Sequence, residues 1–239
     1  MIEEPVTFVC WLWEGWRPGQ YDYRHVNRLY AQLKQHMTGK WRLVCVTNMT
    51  EGIECQTAPL WEMPTPYVAN SKAEKHALAA TAPNCFCRLR LFDPATAKEF
   101  GSLLVSIDLD VTVYADLRPL LTMDKFKVAI NEMQKRARYC GTFWQLRAGA
   151  YPEIWSEYEP GRSPRAIRDA GLTGSDQAWF SLKIPDAPTW GMADGVYWVK
   201  RFGRLTNVPR NARLVYFAGD TNPWTEKCRE KWPNFYTPL

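Results

Sequence analysis

Asp108 and Asp110 close an almost unbroken apolar run, Ser102-Leu-Leu-Val-Ser-Ile-Asp-Leu-Asp-Val-Thr-Val113. A run apolar on both faces reads as a central strand of a parallel sheet. An ionised carboxylate in that setting is costly unless it is paired, hydrogen-bonded or bound to a metal. Being one residue apart, the two acids point to the same side of an extended backbone. At the C-terminal end of the strand they would open onto the crevice where α/β sheets bind ligands. Two hard oxygen donors on one side suit Mg²⁺ or Mn²⁺ with a diphosphate completing the shell. The same acids could instead cap amides at a loop edge or pair with Arg88 or Arg90, and an Asp-x-Asp triplet alone does not decide between these.

Other chemistry-bearing residues fall at the ends of expected elements. Trp11, Trp13 and Trp16 follow the first strand, and Trp11 is expected in the core. Thr47 and Asn48 end the second strand as ligand contacts or as turn residues. Asp176 and Gln177 start a helix, where Asp is a common N-cap. Gly141 would permit close approach of a ligand, and Thr142 offers a hydroxyl. The basic stretches Lys135 to Arg138 and Arg162, Arg165 and Arg168 read as solvated faces or as a groove for an anionic ligand.

The elements that must position these residues follow from hydrophobic periodicity. A strand is expected over 6–11 and a helix over 23–37, where Val26, Leu29, Tyr30, Leu33 and Met37 repeat every three or four residues before Gly39. A strand over 42–47 completes a βαβ opening, which predicts a parallel sheet. Prolines break the pattern between Cys55 and Pro83, with a short helical stretch over 73–80. Strands follow at 102–113, 126–130, 142–146 and 213–218, with helices near Tyr151 and over 175–182. The tail beyond Pro223, with Trp224, Trp232, Phe235 and Tyr236, is expected to pack back on the fold.

The composition bounds the function. The 239 residues are 46% hydrophobic and 23% charged, an ordinary globular balance. The 12 Trp exceed core needs and point to ligand faces, while the net charge of +5 favours anionic partners without marking a DNA binder by itself. No apolar run is long enough to span a bilayer, and the Met1-Ile-Glu-Glu-Pro5 start carries no secretion leader, so a cytoplasmic protein is expected (host cytoplasm if phage-encoded). The seven Cys and three His lack zinc spacing, so the Cys read as small core hydrophobes in a reducing compartment. Without a phosphate-binding Gly-rich loop or a dinucleotide fingerprint, kinase and dehydrogenase chemistries are remote.

Several segments, in order, resemble GT-A fold glycosyltransferases, notably the glycogenin-like group and small phage and bacterial relatives. Ser106-Ile-Asp-Leu-Asp-Val-Thr-Val113 resembles their Asp-x-Asp strand, and Tyr23-x-x-Val-Asn-Arg-Leu-Tyr30 the first helix of the small relatives. Arg42-Leu-Val-Cys-Val-Thr-Asn48 is similar to their second strand, Arg88-Leu-x-Leu-Phe92 to a Lys-Leu-x-Leu-Phe segment, and Gly174-Ser-Asp-Gln177 to a Gly-x-Asp-Gln turn. Val215-Tyr-Phe-Ala-Gly-Asp-Thr-Asn-Pro-Trp224 resembles the terminal motif. It departs from that motif in three places. Tyr216 or Ala218 stands where the relatives have a metal-binding His, and Asn222 stands where the glycogenin-like group has a Lys on the diphosphate.

The resemblance implies a single-domain GT-A-like α/β fold, a Rossmann-type, mostly parallel sheet flanked by helices. Residues 1–120 would bind the nucleotide and residues 121–239 the acceptor. It implies transfer of a sugar from a nucleotide-diphosphate donor, UDP-linked, to an acceptor hydroxyl. Mn²⁺ or Mg²⁺ would sit on Asp108 and Asp110, with Asp220 as a substitute third ligand. Trp11, Trp13, Thr47, Asn48, Arg88, Asp108, Gly141, Thr142 and Gly219 would contact the donor, and Asp176 and Gln177 would face the reaction centre. The acceptor would be a hydroxymethylated base of phage DNA, or else a polysaccharide, a lipid-linked sugar or a protein side chain. A nucleotide-sugar hydrolase or nucleotidyltransferase, and a non-catalytic nucleotide-sugar or nucleic-acid binding module, remain open alternatives.

Overall fold

The structure is a computed structural model in which residues 3–14, 21–61, 85–132, 137–172, 175–202, 207–217 and 221–239 are described. Strand β1 (Val6–Leu12) leads into helix α1 (Tyr23–His36) and returns as β2 (Trp41–Thr47), paired parallel to β1 with Val6 opposite Trp41. This is the βαβ opening that the periodicity predicts. β3 (Gln56–Pro59) extends the sheet beside β2, and β4 (Leu103–Ile107) lies parallel on the other side of β1.

The second half supplies the antiparallel part of the expected, mostly parallel sheet. β6 (Phe126–Ile130) and β7 (Tyr139–Arg147) pair antiparallel, and β7 runs antiparallel to β4. Their connection is too short for the crossover that a parallel pair requires. With β8 (Thr189–Trp190) the described residues form a seven-stranded, mostly parallel sheet in the order β3-β2-β1-β4-β7-β6-β8. A second sheet of three strands joins β5 (Val111–Val113), β10 (Leu214–Tyr216) and β9 (Val196–Trp198) in the order β5-β10-β9.

Alternation along β1 explains how both faces are covered. Val6, Phe8, Cys10 and Leu12 join the core beneath α1, where Val26, Leu29 and Leu33 pack, whereas Val9 and Trp11 face the opposite core. Each of those three α1 side chains contributes on the order of 1.5–3 kcal/mol by leaving water. The opposite core holds a 3₁₀ helix over Cys85–Phe92, α3 (Glu153–Ser156) and α5 (Asp176–Lys183). Short helices α2 (Ala97–Phe100) and α4 (Ser163–Asp169) complete that side. The tail packs back as expected: Trp232 and Phe235, after α6 (Glu226–Lys231), are buried against Tyr197, Val215 and Phe217. The expected helical stretch over 73–80 lies outside the described residues.

The strand expected over 102–113 is interrupted. β4 stops at Ile107, Asp108 to Asp110 form a turn, and β5 belongs to the second sheet. Two carboxylates cannot continue through a sheet buried on both faces without a large desolvation cost, and the chain leaves the sheet where they occur. The acids therefore sit at the junction of the two sheets rather than along one strand.

Helix α1 begins with a reciprocal cap. The Asp22 side chain accepts the Arg24 N–H at 3.0 Å and the His25 ring accepts the Asp22 N–H at 3.0 Å. His25 is buried between the Tyr21 and Trp224 rings, with Asp22 and Arg28 as its charged neighbours. Burial lowers its pKa below the usual histidine value, against the pull of Asp22. A histidine with a depressed folded pKa stabilises above its unfolded pKa, about 6.5, and loses that contribution as pH falls through the folded value. Between pH 7 and 5 wild type is accordingly expected to lose stability relative to His25→Gln, whose amide oxygen still accepts the cap N–H, while the opposing gain from the raised carboxyl of Asp110 is common to both proteins. A difference in melting midpoint that stays constant with pH would refute the assignment.

Candidate functional site

Four segments meet at the C-terminal edge of the parallel strands: the end of β4, the start of β7, the 3₁₀ helix Cys85–Phe92 and the first turn of α5. The β4–β7 pairing continues one step past β4, with the Asp108 N–H donating to the Thr142 carbonyl at 2.9 Å. This brings Asp108, Gly141 and Thr142 together. Asp176 is the first residue of α5 and is fully buried.

Arg88 is the hub. It is 4% exposed, and its Nη1 donates to an Asp108 carboxylate oxygen and, at 3.0 Å, to the Gly141 carbonyl. Its Nη2 donates to Asp176 Oδ1 at 2.9 Å, while Nε lies 2.8 Å from Oδ2 without a well-aimed N–H. Ser175 Oγ also donates to Asp176 Oδ1, at 2.9 Å. The planar guanidinium fork makes this threefold engagement possible, which an ammonium could not reproduce. Burial opposes the charge on Arg88, but Asp108 and Asp176 outweigh it and raise its pKa further. The Gly141 N–H donates to Gln177 Oε1 at 3.2 Å, so the amide of Gln177 joins the same cluster.

Gly141 is needed here for space. A Cβ at that position would stand 2.9 Å from Arg88 Nη2, 3.2 Å from Gln177 Oε1 and 3.3 Å from Asp176 Oδ1. Gly141→Ala is expected to cost about 1–3 kcal/mol by overpacking, read as a lower urea midpoint. An unchanged midpoint would mean that the cluster has slack.

Asp110 contrasts with its neighbour. Its carbonyl accepts the Phe217 N–H at 3.1 Å, but among the described residues no side chain donates to its carboxylate. Burial, with the charge of Asp108, pushes it up to about 8. The thiols of Cys85 and Cys140, close enough to feel these charges, are pushed up to about 11 by burial and stay protonated.

The remaining candidates divide. Trp11 is 7% exposed in the core, as expected, yet its ring centre is 5.9 Å from the Arg88 guanidinium carbon. Trp13 is half-buried against the same core. Thr47 is buried and its hydroxyl accepts the Met49 N–H at 2.8 Å, a turn role, while Asn48 is exposed. Tyr216 is buried and its hydroxyl donates to the Ile130 carbonyl at 3.2 Å. Asn222 is buried at the start of the tail, where its carbonyl accepts the Thr225 hydroxyl. Trp16, Gly174, Gly219 and Asp220 lie outside the described residues.

One residue escaped the reading of the sequence. Arg28, buried on α1, donates from Nη2 to the carbonyls of Leu109 and Val111, each at 2.7 Å, on either side of Asp110. Burial lowers its pKa to about 10, so it remains a cation at neutral pH. Its only signal in the sequence is helical phase, which puts it on the face of His25 and Gln32.

No protein-family model and no curated protein sequence matches the chain. Solved structures do. The galactosyltransferase LgtC, in complex with donor and acceptor sugar analogues, superposes with a TM-score of 0.59 at 11% identity, over 95% of this chain and 92% of its own. The glycosyltransferase GlyE of Streptococcus pneumoniae gives 0.57 at 12% identity, over 99% of this chain and 61% of its own. No helix among the described residues is long and apolar enough to cross a membrane. With its seven-stranded sheet, its acidic turn beyond β4 and these neighbours, the chain has the GT-A fold of glycosyltransferases.

Proposed function

We propose that the chain is a glycosyltransferase that moves a sugar from a nucleoside-diphosphate donor, UDP-linked, to an acceptor hydroxyl. The observation that carries this reading is Arg88, which links the acidic turn to Asp176 and, through Gly141, to Gln177 at the sheet edge. The fit of a divalent cation rests on Asp110, a carboxylate that no side chain among the described residues satisfies, beside the partly exposed Asp108. Two hard oxygens leave room in the shell for diphosphate and water, which suits Mn²⁺ or Mg²⁺. When bound, such a cation neutralises charge that builds on the departing diphosphate.

The chain's own residues do the rest. In the transfer, the bond from the anomeric carbon to the diphosphate oxygen breaks, a bond to the acceptor oxygen forms, and the acceptor proton passes to the departing diphosphate. Asp176 has both oxygens against Arg88, so its part is to fix the guanidinium and α5 rather than to take that proton. Gln177, its Oε1 held by Gly141, keeps its Nε2 for a sugar hydroxyl. Preset geometry of this kind lowers the barrier through orientation and electrostatics.

For the acceptor, the net charge of +5 and the exposed Arg162, Arg165 and Arg168 favour an anionic molecule, with hydroxymethylated bases of phage DNA as the first to try. Affinity for a DNA acceptor would fall steeply with salt, whereas affinity for a glycan would not. The binding-module reading is favoured by Tyr216, whose hydroxyl is engaged by Ile130 where the resemblance expects a metal-binding His.

The test is thermal stabilisation by a panel of nucleotides and nucleotide sugars, with and without Mn²⁺. One donor is expected to stabilise by about 2–3 kcal/mol when present well above its dissociation constant, and only with metal. Binding without any turnover of that donor would favour the module, and no shift with any donor would sink the transferase reading.

A further inference from the structure

Arg28 is 7% exposed and reaches three segments at once. Its Nη2 bonds the carbonyls of Leu109 and Val111, its Nη1 donates to Thr237 Oγ1 at 2.8 Å, and its guanidinium carbon lies 4.9 Å from the centre of the Trp224 ring. All of these partners are neutral. Among the described residues no carboxylate hydrogen-bonds Arg28, and its Nε is buried without a partner. A buried cation held only by neutral groups is costly, and three of the bonds it makes could come from an uncharged donor. The charge and the planar fork are explained by what they sit behind. Leu109 and Val111 flank Asp110, and Asp110 is the acid whose charge Arg28 feels most. Trp224 and Thr237 belong to the tail that begins with the terminal motif.

We propose that Arg28 is a positioning residue that clamps the backbone on both sides of Asp110 and ties the Pro223-Trp224 end of the terminal motif to that turn. The acidic turn is thereby held ready for a metal and a diphosphate. This rests on the donor-site reading above and adds a residue to it. The clamp lies on the first helix, about eighty residues from the acids it holds. A lysine could not replace it fully, because one ammonium cannot span two carbonyls, a hydroxyl and a ring face in a single plane.

The experiment compares wild type with Arg28→Met and Arg28→Lys. It reads amide hydrogen exchange over 107–113 against the rest of the chain, and the affinity for UDP with Mn²⁺ by calorimetry. In Arg28→Met, exchange over 107–113 is expected to speed at least about tenfold, the factor that goes with losing a charged hydrogen bond. Affinity for UDP with Mn²⁺ should fall about 10–100-fold, as when outer-shell support of a metal ligand is removed. Arg28→Lys should fall between, and it decides the matter if Arg28→Met does not fold. Unchanged exchange over 107–113, faster exchange spread evenly over the whole chain, or unchanged affinity would each overturn the clamp. If wild type binds neither UDP nor any nucleotide sugar, the donor-site reading itself fails and takes the clamp's purpose with it, an outcome distinct from a variant that matches wild type.

Discussion

Arg88→Met is expected to lower the stability of the folded protein by about 3–5 kcal/mol, the cost of leaving a buried charge without its partner. Asp176 is fully buried, and Arg88 meets both of its oxygens. Methionine fills much of the volume but returns nothing to that carboxylate, to the Gly141 carbonyl or to Asp108. Because the damage comes from the stranded acid, Arg88→Met combined with Asp176→Asn should be less destabilised than the sum of the two single changes. Arg88→Lys should fall in between, since it keeps the charge but reaches fewer acceptors. Urea denaturation of the four proteins gives the coupling directly. A loss for Arg88→Met within the range of an ordinary surface substitution would show that Asp176 has another partner, and the cluster would need a different centre.

Much of this arrangement was legible in the sequence, and the exceptions have physical reasons. The βαβ opening was clear because α1 is amphipathic and β1 and β2 are short apolar runs, so two periods change at recognisable boundaries. The strand over 102–113 was misread as continuous because Val111 and Val113 resume the apolar pattern at once. Periodicity sees side-chain burial, and both sheets bury their strands, so it cannot register a change of sheet. Charge alone names Arg88 as a possible partner of the acids, and it does pair with Asp108, but its segment is placed only through resemblance. Six of its eight residues are buried, which leaves a 3₁₀ helix without a polar face to betray it. The antiparallel turn of the second half depends on chain connectivity between β6 and β7, which carries little local signal.

The candidate residues sort by the same logic. Asp108 stands out by type and position, whereas Gly141, Thr142, Asp176 and Gln177 are picked out as site residues by the resemblance; the five converge because each lies at or near an element end on one edge of the sheet. The Thr47 hydroxyl is taken up by a turn contact, and a β-branched hydroxyl at a strand end looks alike in either role. Arg28 was passed over because an arginine in a helix is ordinarily read as solvated. Its three bonds reach residues 81, 83 and 209 positions away, and such distances are invisible to local pattern.

The second large effect separates binding from folding. Asp110→Asn is expected to abolish the metal-dependent stabilisation by nucleotide sugar and to lower turnover by about 10²–10³-fold, as when one group stabilising developing charge is removed. The same change should leave the ligand-free protein as stable as wild type or more so. A carboxyl whose folded pKa is raised above its unfolded value binds more protons folded than unfolded. Its stability contribution is complete below the unfolded pKa, near 4, and is lost as pH rises through the folded value. For Asp110 that value is about 8, so at neutral pH the acid works against folding. Asparagine keeps the shape and removes the charge. Opposite signs are therefore expected at one residue, a higher melting midpoint without ligand and no further rise with donor and Mn²⁺, whereas Arg88→Met lowers stability in both conditions. Strongly perturbed acids cluster at functional sites, and a cation on this turn would supply the partner that the Asp110 carboxylate lacks. If Asp110→Asn melted lower than wild type without ligand, Asp110 would have a structural partner, and the case for a cation on this turn would lose its footing.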